Sequence, residues 1–150
     1  MRIATSALDL RRAHSLDEAL QILHDEPRTP IAGATDIGVA LNFGTEKARR
    51  FLDLQPLDEL RTLESRDDTI VVGALVTYST LIRSPLINER VPMLVQAARQ
   101  VGGVQIQNRG TLAGNIANAS PAGDALPVLM AADAIVVLRS MTGERRIPLT

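Results

Sequence analysis

The run Gly110-Thr-Leu-Ala-Gly-Asn-Ile-Ala-Asn-Ala-Ser-Pro-Ala-Gly-Asp124 constrains this chain more than any other stretch. Its fifteen residues include three glycines, two asparagines, a threonine, a serine and an aspartate, with no lysine or arginine. Glycine admits bends closed to other residues, and successive main-chain N–H groups at such bends form concave anion sites. The run therefore predicts a surface offered to a phosphate-bearing ligand without strong positive charge. A second segment, Gly33-Ala-Thr-Asp36, makes the same offer, and two such loops suggest a diphosphate. A strand-to-helix turn with Thr35 or Asp36 as its cap explains Gly33 to Asp36 about as well. The longer run is harder to read as structure alone. Loops of that length are usually functional or disordered, and the flanks Val104 to Ile106 and Leu126 to Met130 are too apolar for disorder.

The 150 residues fit one ordinary domain or two small lobes sharing a core. Apolar residues make up 45%, and only Phe43, Phe51 and Tyr78 are aromatic, which argues against stacking bare nucleobases. A net charge of −1 offers no electrostatic case for nucleic acid or an anionic membrane as partner. The clusters Arg11-Arg12 and Lys47…Arg49-Arg50 read as solvated faces. Cysteine is absent, which excludes disulfides and thiolate-held metal or iron–sulfur centres within the chain. No apolar run reaches the roughly 18 residues of a membrane span. The N-terminus lacks a charged-then-apolar signal pattern, and the expected location is cytoplasmic.

Periodicity predicts an α+β chain. Ser15-Leu-Asp-Glu18 is a capping box, with the serine oxygen taking the Glu18 N–H and the glutamate returning to the Ser15 N–H. The helix behind it ends near Asp25, ahead of Pro27. A strand at Pro30–Ala32 runs into Gly33, a helix follows to Gly44, and Arg50–Leu54 is a second strand. Such a unit predicts parallel strands with a right-handed crossover. Gln55-Pro56 reads as a joint, giving a small N-terminal lobe of about residues 1–56 and a larger sheet-and-helix lobe of about residues 57–150. The second lobe opens with a hairpin turning at Arg66-Asp67-Asp68. Helices are predicted from Thr77, from Pro92 to Gln100 and from Leu126 to Ala132, and a hairpin over Ala134–Leu149 closes the chain.

Several chemistries are missing. There is no Gly-x-Ser-x-Gly elbow, and His14 and His24 lie around the first helix, away from both glycine-rich segments in sequence. No carboxylate cluster suits a metal. Neither a P-loop nor the Gly-x-Gly-x-x-Gly dinucleotide fingerprint occurs.

Val104-Gln-Ile-Gln-Asn-Arg-Gly-Thr-Leu-Ala-Gly-Asn-Ile-Ala-Asn-Ala-Ser-Pro-Ala-Gly-Asp124 resembles the FAD-binding signature of the molybdenum hydroxylases, the family of xanthine dehydrogenase flavin subunits and carbon monoxide dehydrogenase medium subunits. Ser15 to Leu20, Ile31 to Ile37 and Val72 to Leu81 resemble further family segments in the right order. The resemblance implies a two-lobed FAD-binding domain over residues 1–150. It implies that Ile31, Ala32, Gly33, Ala34, Thr35, Asp36 and Ile37 form one clamp on FAD. Gly110, Thr111, Leu112, Ala113, Gly114 and Asn115 would form the other, with Ser120 and Asp124 on the far side and Val101 against the flavin. No residue of the chain itself is assigned a catalytic or metal-binding role.

By the same resemblance, the chain is the electron-transfer component of an oxidoreductase. Its partners would be an iron–sulfur subunit and a molybdopterin subunit, with NAD or another acceptor receiving the electrons. Three departures stand out. Gln107 replaces a common arginine, and Ala113 a frequent glycine. The chain also stops after Ile147-Pro-Leu149, where the family continues into a C-terminal subdomain, so the flavin is expected to be poorly shielded and its acceptor site incomplete. The rival expectation is a truncated, non-catalytic remnant or interaction module that keeps the lobe fold.

Overall fold

The computed structural model describes residues 5–149. Strands β1 (Asp9–Arg12), β2 (Thr29–Ile31) and β3 (Arg50–Asp53) form a parallel sheet with β3 in the middle. Helix α1 (Leu16–Asp25) joins β1 to β2, and α2 (Thr35–Phe43) joins β2 to β3. Ser15 Oγ accepts the Glu18 N–H at 3.1 Å, as the capping box predicts. The Glu18 carboxylate takes the His14 N–H at 2.8 Å rather than that of Ser15, so the box closes one residue early.

Strand β1 is not visible in the hydrophobic pattern, because Asp-Leu-Arg-Arg has all its residues exposed. Backbone pairing with β3 holds it in place, with ion pairs at both ends. Arg12 lies opposite Asp53 in the parallel register, and Arg12 Nε donates to Asp53 Oδ2 at 3.0 Å. At the other end Arg28 Nη2 donates to Asp9 Oδ2 at 2.7 Å and its Nη1 to the Phe51 carbonyl at 3.2 Å.

Beyond residue 56 the chain makes the antiparallel hairpin β4 (Leu63–Arg66) and β5 (Thr69–Val72). Asp67 in its turn takes a left-handed φ of 50°. Short helices follow: α3 (Tyr78–Arg83), α4 (Pro85–Arg90), α5 (Pro92–Gln100), α6 (Val104–Arg109), α7 (Leu112–Asn118) and α8 (Leu126–Ala131). Prolines open α4 and α5, where a missing N–H costs nothing and the fixed φ suits the first turn. A final hairpin pairs β6 (Ile135–Ser140) with β7 (Gly143–Pro148), leaving Ile135, Val137 and Ile147 exposed.

Helix α7 corrects the expectation of a long loop at Gly110–Asp124. Glycine and asparagine read as turn formers, but Thr111 Oγ1 caps the segment by accepting the Gly114 N–H at 3.0 Å. Leu112 then anchors it in the core, with Ile116 packed beside. Only the part after Asn118 is irregular, starting at Ala119 with φ 49°.

Buried side chains gather in two cores. Ala13, Ala19, Ile22, Leu52, Leu57 and Leu75 form one, whereas Val76, Tyr78, Leu81 and Leu94 belong to the other. Burying each of these leucines contributes about 2 kcal/mol relative to exposure. The adjacent residues Leu75 and Val76 thus face different cores. The crossing is tight. A Cβ on Gly73 would stand 2.3 Å from the Leu60 carbonyl oxygen, which also accepts the Leu75 N–H at 2.8 Å. Among the described residues no helix is long and apolar enough to cross a membrane.

Candidate functional site

The two loops singled out in the sequence touch. A Cβ on Gly33 would lie 1.9 Å from the Arg109 carbonyl oxygen and 3.0 Å from the Gly110 nitrogen. Only a residue without a side chain permits that approach of backbone to backbone. The contact forms at the carboxyl end of β2, the end at which parallel sheets gather ligands.

The first loop is fixed from below. The Ile31 carbonyl accepts the Leu54 N–H at 3.0 Å, and the Ala32 carbonyl accepts Gln55 Nε2 at 2.9 Å. Gln55 is in turn held by Arg61 Nη2, which donates to its side-chain oxygen at 2.9 Å. Ala34 then turns the chain with φ 57°, ψ 20°, and α2 begins at Thr35. Neither Thr35 nor Asp36 serves as the cap, and among the described residues no side chain makes a capping hydrogen bond to the helix start. Among the described residues the N–H groups of Thr35, Asp36 and Ile37 have no acceptor, at the helix end where the macrodipole places roughly +0.5 charge.

The second loop is fixed by Thr77 and its neighbours. Thr77 and Thr111 form an isolated antiparallel bridge. The Gly110 carbonyl accepts the Tyr78 N–H at 3.1 Å, and the Val76 carbonyl accepts the Leu112 N–H at 3.2 Å. Each threonine also caps a helix, Thr77 for α3 and Thr111 for α7. Leu112 points into the core, so only its backbone stays near the loop. Ala113, Gly114 and Asn115 make the first turn of α7.

Ser120 and Asp124 bracket the turn after α7. Ser120 accepts the Ala122 N–H on Oγ at 3.3 Å and the Gly123 N–H on its carbonyl at 2.9 Å. Asp124 and Asp36 are both exposed, yet both charges bear on Tyr78. Val101 follows the end of α5, half-buried against the second core. Gln107, in the position of a common arginine, donates Nε2 to the Arg99 carbonyl at 3.2 Å and so covers the end of α5.

Two buried polar atoms at this site have no partner among the described residues: the Tyr78 hydroxyl and Asn115 Oδ1. Leaving such a group unsatisfied costs about 1–3 kcal/mol. Burial, then the charges of Asp124 and Asp36, push the Tyr78 phenol from its ordinary 10.0 up to about 12. Tyr78 and Gln55 are the residues that sequence reasoning passed over. Tyr78 carried one signal, being the sole tyrosine of the chain. His14 and His24 are exposed, and among the described residues no histidines or carboxylates gather to hold a metal ion.

Main-chain N–H donors, a close glycine contact and unpartnered buried polar atoms describe a cofactor cradle that fits a phosphate- and hydroxyl-bearing molecule such as FAD. Relatives agree. The nicotinate dehydrogenase FAD-subunit of Eubacterium barkeri is 40% identical over 139 residues, 91% of this chain and 47% of that protein. The xanthine dehydrogenase FAD-binding subunit of Escherichia coli O157:H7 is 31% identical over 92% of this chain and 48% of its own length. The chain thus spans about half the length of these curated relatives. Among solved structures, carbon monoxide dehydrogenase from Hydrogenophaga pseudoflava superposes with a TM-score of 0.90 at 28% identity, covering 95% of this chain and 50% of that one. Quinoline 2-oxidoreductase from Pseudomonas putida 86 gives 0.92 at 28% identity, covering 96% and 51%. The family described as the FAD binding domain in molybdopterin dehydrogenase matches residues 6–150, and the chain belongs to that family.

Proposed function

We propose that this chain holds FAD for a molybdenum hydroxylase-type dehydrogenase. The carrying observation is the contact of Gly33 with the backbone of Arg109 and Gly110, which joins the loop leading into the uncapped start of α2 to the second loop. In this reading the N–H groups of Thr35, Asp36 and Ile37 hold the diphosphate. Ile31, Ala32, Gly33 and Ala34 shape one wall; Gly110, Thr111, Leu112, Ala113, Gly114 and Asn115 shape the other. Ser120 and Asp124 close the far side, and Val101 lies towards the flavin. The division into lobes of about residues 1–56 and 57–150 belongs to the same reading, although the first core reaches past residue 56 and takes in Leu57 and Leu75.

When bound, FAD supplies the redox chemistry, receiving electrons from iron–sulfur centres of a partner subunit and passing them to NAD or another acceptor. The chain's own residues bind and orient; none is assigned a catalytic role. The iron–sulfur centres would lie in a further subunit, because the chain has no cysteine to ligate them, and the molybdopterin is assigned to another subunit by the same reading. The relatives named above, subunits of dehydrogenases, support this assembly.

FAD titration of substituted chains tests the assignment. Asp124→Ala and Thr111→Ala should each weaken FAD binding, whereas Thr111→Ser, which keeps the cap on α7, should retain most of it. Unchanged affinity in both alanine variants would refute these site residues. Mixing the FAD-loaded chain with NADH tests the acceptor: bleaching of the flavin supports NAD, and an unchanged spectrum counts against it.

A further inference from the structure

The Tyr78 side chain is only 2% exposed, and its hydroxyl has no hydrogen-bond partner among the described residues. Its ring lies beneath the second loop: Cδ2 and Cε2 stand 3.5 and 3.6 Å from where a Gly110 Cβ would be. Its own N–H holds the Gly110 carbonyl. The residue is thus pinned under the loop at one end, with its polar tip left bare at the other. Asp36, from the first loop, and Asp124, from beyond the second, are the charges that reach this phenol. Asn115 Oδ1, the other unpartnered atom of the site, would lie 3.3 Å from a Cβ on Gly123, the residue before Asp124.

These groups are not equivalent in hydrogen bonding. The phenol is the donor, while the two carboxylates and the Asn115 oxygen are acceptors. A phosphate only accepts, so it would satisfy the phenol and leave the Asn115 oxygen bare, and the charges of Asp36 and Asp124 disfavour it further. A sugar hydroxyl accepts one bond and donates another, which matches a bare phenol donor and a bare Asn115 acceptor at one site. Resting on the FAD reading above, we infer that the Tyr78 hydroxyl donates a hydrogen bond to a sugar hydroxyl of FAD, on its ribose or its ribityl chain. Tyr78 is then a positioning residue for the sugar, separate from the main-chain donors that take the diphosphate.

The test is Tyr78→Phe in the full chain, which keeps the ring against Gly110 and removes only the oxygen. FAD affinity should fall roughly 5- to 30-fold. The thermal midpoint without FAD should stay level or rise, because the variant no longer buries an unpaired O–H. ADP and FMN used as competitors separate the two sources: a loss carried by ADP assigns the ribose, and one carried by FMN assigns the ribityl chain. Equal FAD affinity in both proteins overturns the inference, and so does a lowered midpoint with unchanged affinity, the mark of a purely structural hydroxyl. If the unsubstituted chain itself fails to bind FAD, the FAD reading falls first, and the inference falls with it.

Discussion

Gly33 approaches Arg109 so closely that a Cβ on the glycine would stand 1.9 Å from the arginine's carbonyl oxygen. Residues far apart in sequence thus share one backbone contact, and the site depends on it. Gly33→Ala should destabilise the chain by about 1–3 kcal/mol, because both clashing partners are backbone and cannot rotate away. Gly38 in the same segment supplies the control. Its Cβ would meet nothing within 4 Å, so Gly38→Ala in the middle of α2 should stabilise by about 1 kcal/mol. Urea denaturation of the two variants should show opposite signs.

Ala34 pays a backbone cost at the start of the same helix. Its φ of 57° lies in the left-handed region, where an alanine is disfavoured by about 1–2 kcal/mol. Ala34→Gly removes the strained Cβ at the cost of a freer unfolded chain, and should net about 1 kcal/mol of stability. A chain of this size should then melt about 2–4 °C higher in calorimetry.

Tyr78 is the only tyrosine, and the chain has no tryptophan, so near-ultraviolet absorbance reports its ionisation directly. The phenol should titrate near 12 in the folded chain against an ordinary 10.0. Because the folded value is raised, the stability linked to it is complete below pH 10 and is lost as pH rises through about 12. Alkaline unfolding should therefore set in earlier for the native chain than for Tyr78→Phe, which has no phenol to ionise.

The acid side belongs to Arg28, whose guanidinium holds the carboxyls of both Asp9 and Glu26 below their usual range through hydrogen bonds, with Arg11 adding to the effect on Glu26. Lowered folded values mean that this contribution is complete above the ordinary carboxylate range and disappears as pH falls through the depressed values. Arg28→Met should be less stable at about pH 7 and should lose less further stability by about pH 3 than the native chain does. Urea midpoints at the two pH values give the comparison.

Local chemistry made much of the fold legible. Ser15, Thr77 and Pro92 mark helix starts that the structure shares, and the chain reverses at Asp67-Asp68 and before Gly143 as turn chemistry predicts. Strand β1 was not legible, because its place depends on pairing with β3 and on Arg12, Arg28 and Asp53, all long-range terms. Helix α7 was hidden by its glycine and asparagines, whose turn preference yielded to the Thr111 cap and the burial of Leu112. At the site, the loops could be named from composition and resemblance, but their contact could not. Nor could the bare Tyr78 hydroxyl, since it emerges only when folding buries the ring beneath the second loop without a partner for its oxygen.

FAD titration of the purified chain, read both by flavin absorbance and by the fluorescence of its single tyrosine, bears most directly on whether the chain holds FAD. Binding should be saturable and stoichiometric, with Tyr78 emission quenched in step with flavin uptake and a higher thermal midpoint at saturation. A chain that stays colourless, keeps its tyrosine emission and shows no thermal shift in excess FAD would contradict FAD binding.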